Sequence, residues 1–436
     1  MIKFKWETEF KETPIGEIPK DWNVKEIQEV MFINKRPKNG QNKPIAFIPM
    51  EKIPVDGMLP EFEFRTPNEV KSGIEVPPSS ILLAKITPSF EHGKMCIVPN
   101  NFNYRWIATT EVFSLIPRDN KVSTKFVFYY LRHPIPKDIL EYSMTGTSGR
   151  QRVDRHALET LLLPYPSPEE QQGIADVLSW FDDLIENKRK QNEILEKTAM
   201  AIFKSWFIDF EPFQDEEFVY SEKLDMEIPK GWEVKSIGEI VKLIKGVSYK
   251  SNEIKDKKET DKDMVFITLK SFQRGGGFRP EYKYYGGNKL KKNTFVGDGD
   301  LIIGITDMTP DAKVVGAPAL VVLPPWEDTG VISLDCAKLS TIEYFKEYLY
   351  LFLKITQEEN STFANGVNVL HLNTKLFAQS KFILVPPKPI LEKFHSLVEP
   401  LFRKIILNEK EIMLLKKIRD TLLPQLVFGR LRVVGI

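Results

Sequence analysis

The chain contains one segment twice. "EIPKDWNVKEIQEV" from Glu17 recurs as "EIPKGWEVKSIGEI" from Glu227, with nine of fourteen positions identical at an offset of 210. In a chain of 436 residues, a period this close to half the length means that the fold of the first half must be built again by the second. Further matches keep the same order. "AFIPMEKI" from Ala46 is answered by "VFITLKSF" from Val265, and both alternate apolar and polar residues as half-buried strands do. "SSILLAKITP" from Ser79 is answered by "GDLIIGITDM" from Gly299, a buried strand in each half. "LETLLLPYPSPEEQQ" from Leu158 is matched by "AQSKFILVPPKPILEK" from Ala378. The offset drifts to about 220, as strands kept and loops varied would make it. The chain reads as a tandem duplication of a β-rich unit.

Each half closes on a different pattern. From Ser167 to Phe207 there is no proline after Pro168 and no glycine after Gly173. Ser167 can cap, Pro168 suits the first helical position and Glu170 completes a capping box. Heptad spacing then runs through Ile174, Phe181, Lys188, Leu195, Ile202 and through Leu178, Ile185, Asn192, Ala199, Trp206. The second half repeats it with Phe394, Leu401, Asn408, Leu415, Leu422 and Val398, Ile405, Ile412, Arg419, Leu426. Lys188, Asn192 and Asn408 place polar groups near the middle of the seams, where they would cost stability but fix register. Two helices of about 40 residues, each about 60 Å long, are expected to pair antiparallel, because the first must deliver the chain to the second globular unit. Pro400 predicts a break in the second helix near Glu399. The competing reading packs each helix only on its own globular domain.

The expected architecture is α+β: two β-rich domains, separated by two long helices forming an antiparallel coiled coil, in a pseudo-two-fold tandem repeat. The boundaries fall at 1–163 and 211–385 for the domains, and at 164–210 and 386–436 for the helices.

Composition fits such a molecule, with 42 % hydrophobic and 28 % charged residues. No apolar run approaches a membrane span, and the start lacks a signal-peptide core, so a cytoplasmic protein without a membrane partner is expected. Cys96 and Cys336 are too few for a disulfide framework or a zinc site and should pack as small hydrophobes.

Catalytic signatures are missing. There is no Gly-x-x-x-x-Gly-Lys-Ser/Thr phosphate loop and no Asn-Pro-Pro-aromatic tetrapeptide. His92, His133, His156, His371 and His395 stand singly. The "RGGGF" run at Arg274 lacks a strand–glycine–helix context. No cofactor, metal or catalytic residue is expected on this chain.

What the chain does carry is basic, amide-rich loops. From Lys242 to Lys292 there are fourteen Lys or Arg against six acids, interleaved with seven aromatic residues. Such loops neutralise phosphates, while Arg, Asn, Gln and Ser read base edges. In the second half the DNA-binding candidates are Lys245, Ser248, Tyr249, Lys250, Gln273, Arg274 and Arg279, with Asn365 and Asn368 in "FANGVNVLH". In the first half they are Lys35, Arg36, Lys38, Asn39, Gln41 and Lys43 in "NKRPKNGQNK", and Ser148, Arg150, Gln151 and Arg152 in "GTSGRQR". These loops recur at matching places in both halves.

Two β-rich domains, each opening on "IPK-x-W" (Ile18, Pro19, Lys20, Trp22; Ile228, Pro229, Lys230, Trp232) and each followed by a long helix after a proline-rich turn, resemble the specificity subunit of Type I restriction–modification systems. The resemblance covers essentially the whole chain. Glu170, Gln171 and Gln172 match the family's turn into the first helix; the second copy reads "PPKPILEK", keeping Glu392 but not the glutamines. The resemblance implies that each domain reads one half of an asymmetric, split sequence in double-stranded DNA. It implies that the helices set the gap between half-sites and dock two methyltransferase subunits. S-adenosylmethionine, ATP and Mg would then belong to partner subunits, including separate restriction subunits. The alternatives are a coiled-coil scaffold carrying two ligand-binding β domains, or a DNA nuclease.

Overall fold

The computed structural model describes residues 3–37, 43–147, 149–288, 290, 292–309 and 311–434. The duplicated opening folds the same way in both copies. Asn23–Glu26 leads into a one-turn helix Ile27–Val30, and Glu233–Ser236 leads into Ile237–Ile240. Each helix starts with a capping box, Glu26 with Glu29 and Ser236 with Glu239. The repeated tryptophans, Trp22 and Trp232, are buried.

Two units follow from the chain's contacts: Met1–Glu186 with Leu415–Ile436, and Asn187–Leu414. Both are built on the same four-stranded antiparallel sheet. In the first unit Met95–Ile97, Ile81–Ala84, Val112–Pro117 and Met31–Ile33 lie side by side, all antiparallel. In the second unit Pro318–Leu320, Leu301–Gly304, Cys336–Ser340 and Lys242–Lys245 take the same places. A second sheet pairs Ile45–Ile48 parallel to Arg105–Ala108, as Met264–Ile267 pairs with Gly330–Ile332. Of the strands matched by sequence, Ile45–Ile48 and Ile81–Ala84, with Met264–Ile267 and Leu301–Gly304, are central in their sheets, while the opening strand of each unit pairs with the matched strand before its long helix. Cys96 and Cys336 are fully buried in these cores, where burial raises both thiol pKa values, that of Cys336 to about 12.

The long helices span Pro168–Phe207 and Lys388–Val427. Each unit holds part of both. In the second unit Lys188 pairs with Glu411, Asn192 meets Asn408, and Phe207 packs on Phe394 at 4.9 Å. As residue numbers rise along one helix they fall along the other, so the segments run antiparallel. Asn408 Nδ2 donates to Asn192 Oδ1 at 2.8 Å, and Asn192 Nδ2 donates to Glu409 Oε1 at 2.8 Å. The outer parts of the helices also enter the domain cores. Ile174 and Leu178 share a cluster with Leu423 and Leu426, while Ala199 and Phe203 join Phe394 and Val398 in the other unit. Coiled-coil seam and domain packing are thus both used, on different turns.

In the first unit the seam carries charge. Arg419, 6 % exposed, donates from Nη1 to Asp182 and to Asp56, and Tyr129 Oη donates to Asp182 at 2.7 Å. Nearer the start of the same helix, Trp22 Nε1 donates to Glu170 Oε2 at 3.0 Å, and Arg432 Nε and Nη2 donate to the same carboxylate at 2.6 and 2.8 Å. Arg432 lies on the terminal strand Leu431–Val434, which pairs antiparallel with Lys3–Trp6. It also reaches Glu7 and Asp21. Ser167 caps as expected, accepting from Glu170 N at 3.2 Å, but the Glu170 side chain goes to Trp22 and Arg432.

Two expectations are corrected. The second helix runs unbroken through Pro400. The proline is exposed, so the Ser396 carbonyl it deprives of a donor lies on the solvent side, while buried Val398 and Phe402 hold the helix on the other. The counterpart of Glu170 is Ile390, not Glu392. Leu163 pairs with Lys25 and Ile383 with Lys235, which fixes an offset of 220 at this turn, so Glu392 aligns with Gln172, and each is exposed in its own unit. There the second unit replaces the polar cluster with an aromatic one, Phe210 and Phe213 packing edge-on to Trp232 at 5.6 and 5.1 Å.

Two outcomes are expected. Arg419→Met should destabilise the first unit by about 3–5 kcal/mol in denaturant melts, because Asp182 would stay buried without its cation, and adding Asp182→Leu should restore most of the loss. Hydrogen bonds from the Glu9 and Thr8 N–H groups hold the Glu7 pKa down to about 2 from 4.5, with Arg432 adding to the effect. A depressed carboxylate pKa stabilises the fold fully above 4.5 and loses that contribution as pH falls toward 2. Thermal melts should show this acid slope, and Glu7→Gln should flatten it.

Candidate nucleic-acid interface

In the second unit, edge strand Lys242–Lys245 ends where Gly304 and Cys336 sit paired on the two central strands. At this end lies a cleft of about 790 Å³, whose polar lining includes Lys242, Lys245, Ser248, Thr306 and His371. A hairpin stands beside it. Ala364–Asn365 pairs with Leu370–Leu372, which in turn pairs with Thr306–Asp307. Gly366 makes the turn at φ +128, where an added Cβ would fall 2.0 Å from the Val369 carbonyl oxygen, so only glycine fits. His371 Nδ1 lies 3.4 Å from Thr306 Oγ1. The loop after Thr306 is pinned by Asp307. Burial opposes its charge, but hydrogen bonds from Thr309 and from the Val314 and Val315 N–H groups keep its pKa below the usual range.

The first unit builds the same end from different residues. Asn34 continues edge strand Met31–Ile33 and pairs both ways with Ser114, at 2.7 and 3.0 Å. Thr145 and Arg152 exchange backbone hydrogen bonds of 3.0 and 2.8 Å to form the hairpin. Arg152 bridges to Ile86 as His371 does to Thr306. Gly146, at φ +130, stands where Gly366 stands. The loops "GTSGRQR" and "FANGVNVLH" therefore correspond in space.

The candidates from sequence divide accordingly. Lys35 and Arg36 leave the edge strand at the sheet end that carries Arg150, Gln151 and Arg152. Lys245 and Ser248 share their end with Asn365 and Asn368. By strand register Lys35 and Lys245 are equivalent positions, and both are exposed. Arg152 is engaged, its Nε and Nη2 donating to Glu111 at 2.9 and 2.8 Å. The Arg150 guanidinium has no partner among the described residues. Tyr249 and Lys250 belong to the fold beside the cleft: Tyr249 Oη donates to Asp335 at 3.4 Å, and the Lys250 N–H donates to Glu253 at 2.7 Å. Lys43 is folded onto the Phe102 carbonyl at 2.6 Å.

Three candidates lie elsewhere. Gln273, Arg274 and Arg279 sit on a loop whose Gly277 N–H donates to Pro318, on the opposite edge strand of the sheet. Gln273 donates to the Phe278 carbonyl at 3.0 Å, Arg274 pairs with Asp311, and Arg279 donates to the Lys270 carbonyl at 2.9 Å. Lys38, Asn39, Gln41 and Ser148 lie outside the described residues.

Sequence reasoning missed Lys242, Thr306 and His371, which face the cleft, and Met308 and Val367, which are 73 % and 97 % exposed beside it. The repeat register held the signal for His371, since it occupies the place of Arg152. Val367 could have been found as an isolated apolar residue in a run of Asn and Gly.

Known proteins share this arrangement. The family model described as "Type I restriction modification DNA specificity domain" matches residues 19–197 and again 229–417. The type I restriction enzyme MjaIX specificity subunit of Methanocaldococcus jannaschii is 38 % identical over 458 aligned residues, covering 99 % of each chain. The type I restriction enzyme HindI specificity subunit of Haemophilus influenzae is 24 % identical over 84 % of this chain and 89 % of its own. The crystal structure of a Type I restriction–modification S subunit from M. genitalium shares the fold, with a TM-score of 0.54 over 95 % of this chain and 99 % of that one at 17 % identity. The chain belongs to the Type I restriction–modification DNA specificity family, with two specificity domains in tandem.

Proposed function

We propose that this chain is the non-catalytic DNA-reading subunit of a Type I restriction–modification complex, and that each domain reads one half of a split, asymmetric target. The observation that carries this is the sheet end with its hairpin, built twice on one scaffold with different side chains: Lys35 and Arg150 in one unit, Lys245, Asn365 and Asn368 in the other. A repeat kept for folding alone has no need for the same exposed end furnished with two sets of groups able to bind phosphates and base edges. Lysines at equivalent sites hold the backbone, and the hairpin side chains enter a groove.

The helices set the gap. Half-sites on one DNA face lie about 34–36 Å apart, within reach of helices about 60 Å long. They also supply docking surfaces for two methyltransferase subunits. Trp180, Leu184 and Ile194 on the first helix, and Leu397, Leu407, Leu414 and Ile418 on the second, are exposed although large and apolar, as partner-facing residues are. S-adenosylmethionine, with the adenine flipped toward it, and ATP with Mg belong to the methyltransferase and restriction subunits. Among the described residues no helix is long and apolar enough to cross a membrane.

The test is to co-express the chain with an active methyltransferase partner and map modified adenines by single-molecule sequencing. An asymmetric split motif with a fixed gap is expected. A stable complex that modifies nothing would leave the protein-scaffold reading. Lys35→Ala and Lys245→Ala should each weaken binding to all sequences alike and lower the salt slope of log K by about one. Inserting one helical turn, about 5.4 Å, at matched places in both helices should move the preferred gap by about one or two base pairs; mapping the motif of that variant checks it.

A further inference from the structure

Resting on that reading, we infer that the two hairpins read different bases: Arg150 recognises a guanine in the half-site of the first unit, and Val367 with Asn368 recognises a thymine–adenine pair in that of the second.

In the first hairpin the two arginines beside the tip differ in what the fold leaves them free to do. The Gln151 backbone is tied to Thr87, its N–H donating to Oγ1 at 3.1 Å and its carbonyl accepting from the Thr87 N–H at 2.9 Å. Arg152 is clamped by both oxygens of Glu111, whose pKa is lowered mainly by that contact. The clamp fixes the base of the hairpin and leaves Arg152 with fewer donors for a ligand. Arg150 sits on the outer side, its N–H turned onto the Thr147 carbonyl at 2.9 Å, with no described residue at its guanidinium. A planar fork held on a short, pinned turn suits the O6 and N7 acceptors of guanine, which lie side by side in the major groove.

The second hairpin has no cation at its tip. Between Gly366 and His371 stand Val367, Asn368, Val369 and Leu370, and Val367 is 97 % exposed. Met308, 73 % exposed, follows the strand Thr306–Asp307 that carries this hairpin, and it aligns with Pro88 of the first unit. Two exposed apolar side chains beside hydrogen-bonded strands gain by meeting methyl groups that are otherwise exposed to water. In the major groove only thymine offers one, and its partner adenine presents the donor–acceptor pair that an Asn amide matches. The Thr306–His371 contact and the Asp307 loop hold this face as Glu111 holds the other.

The experiment uses the complex of the full chain with its methyltransferase partner, after the split motif has been mapped. Duplexes then carry 7-deazaguanine at each guanine of the first half-site in turn, or deoxyuridine in place of each thymine of the second. One 7-deazaguanine should weaken the wild-type complex about 10-fold or more, and Arg150→Ala should abolish sensitivity at that position while leaving the second half-site unchanged. One deoxyuridine should weaken it about four-fold, as loss of one buried methyl implies, and Val367→Ala should remove that sensitivity alone. A first half-site insensitive to every 7-deazaguanine, or a second insensitive to every deoxyuridine, would overturn the assignment, and neither test needs a variant to fold. A wild-type complex that methylates no split motif would instead overturn the functional reading beneath it.

Discussion

The carboxylate of Glu170 is where three distant parts of the first unit become one structure. It accepts from Trp22 of the opening segment and from Arg432 of the last strand, and itself starts the first long helix. Hydrogen-bonded charge of this kind is costly to bury and more costly to leave half-paired. Each of the three segments is therefore held to one position by the other two. Pairing of Lys3–Trp6 with Leu431–Val434 closes the same junction from the backbone side. The second unit meets the equivalent demand with Ile390 and an aromatic cluster in which Phe210 and Phe213 pack on Trp232.

The helices follow a similar logic along their length. Apolar seams alone would tolerate sliding by a heptad. Asn408 against Asn192 and Arg419 against Asp182 do not, because a slip would strand buried amides or charges. If helix length sets the distance between two DNA readers, register is the property that must not drift, and the polar residues stand where they can guard it.

Much of this was legible in the sequence because duplication is a strong signal. The paired strands and both long helices follow from periods of 2 and 3.5 and from the repeat itself. Pro400 misled because a proline breaks a helix only where the lost hydrogen bond cannot be replaced, and exposure is not written locally. Glu392 misled because chemical likeness suggested one alignment where strand register enforced another. The loop candidates were chosen by composition, which cannot tell a committed side chain from an available one: Arg150 and Arg152 are two residues apart, yet only Arg152 is clamped by Glu111.

By itself, then, the sequence determined that the chain is a repeated β-rich unit punctuated by two long heptad helices, since such patterns depend only on spacing along the chain. The tertiary structure alone decided that Lys245 and His371 line one cleft, that Arg274 and Arg279 sit on the far edge of the sheet, and that Val367 stands at a tip. Those facts depend on strand order and on turns at Gly146 and Gly366, which bring together residues more than a hundred positions apart.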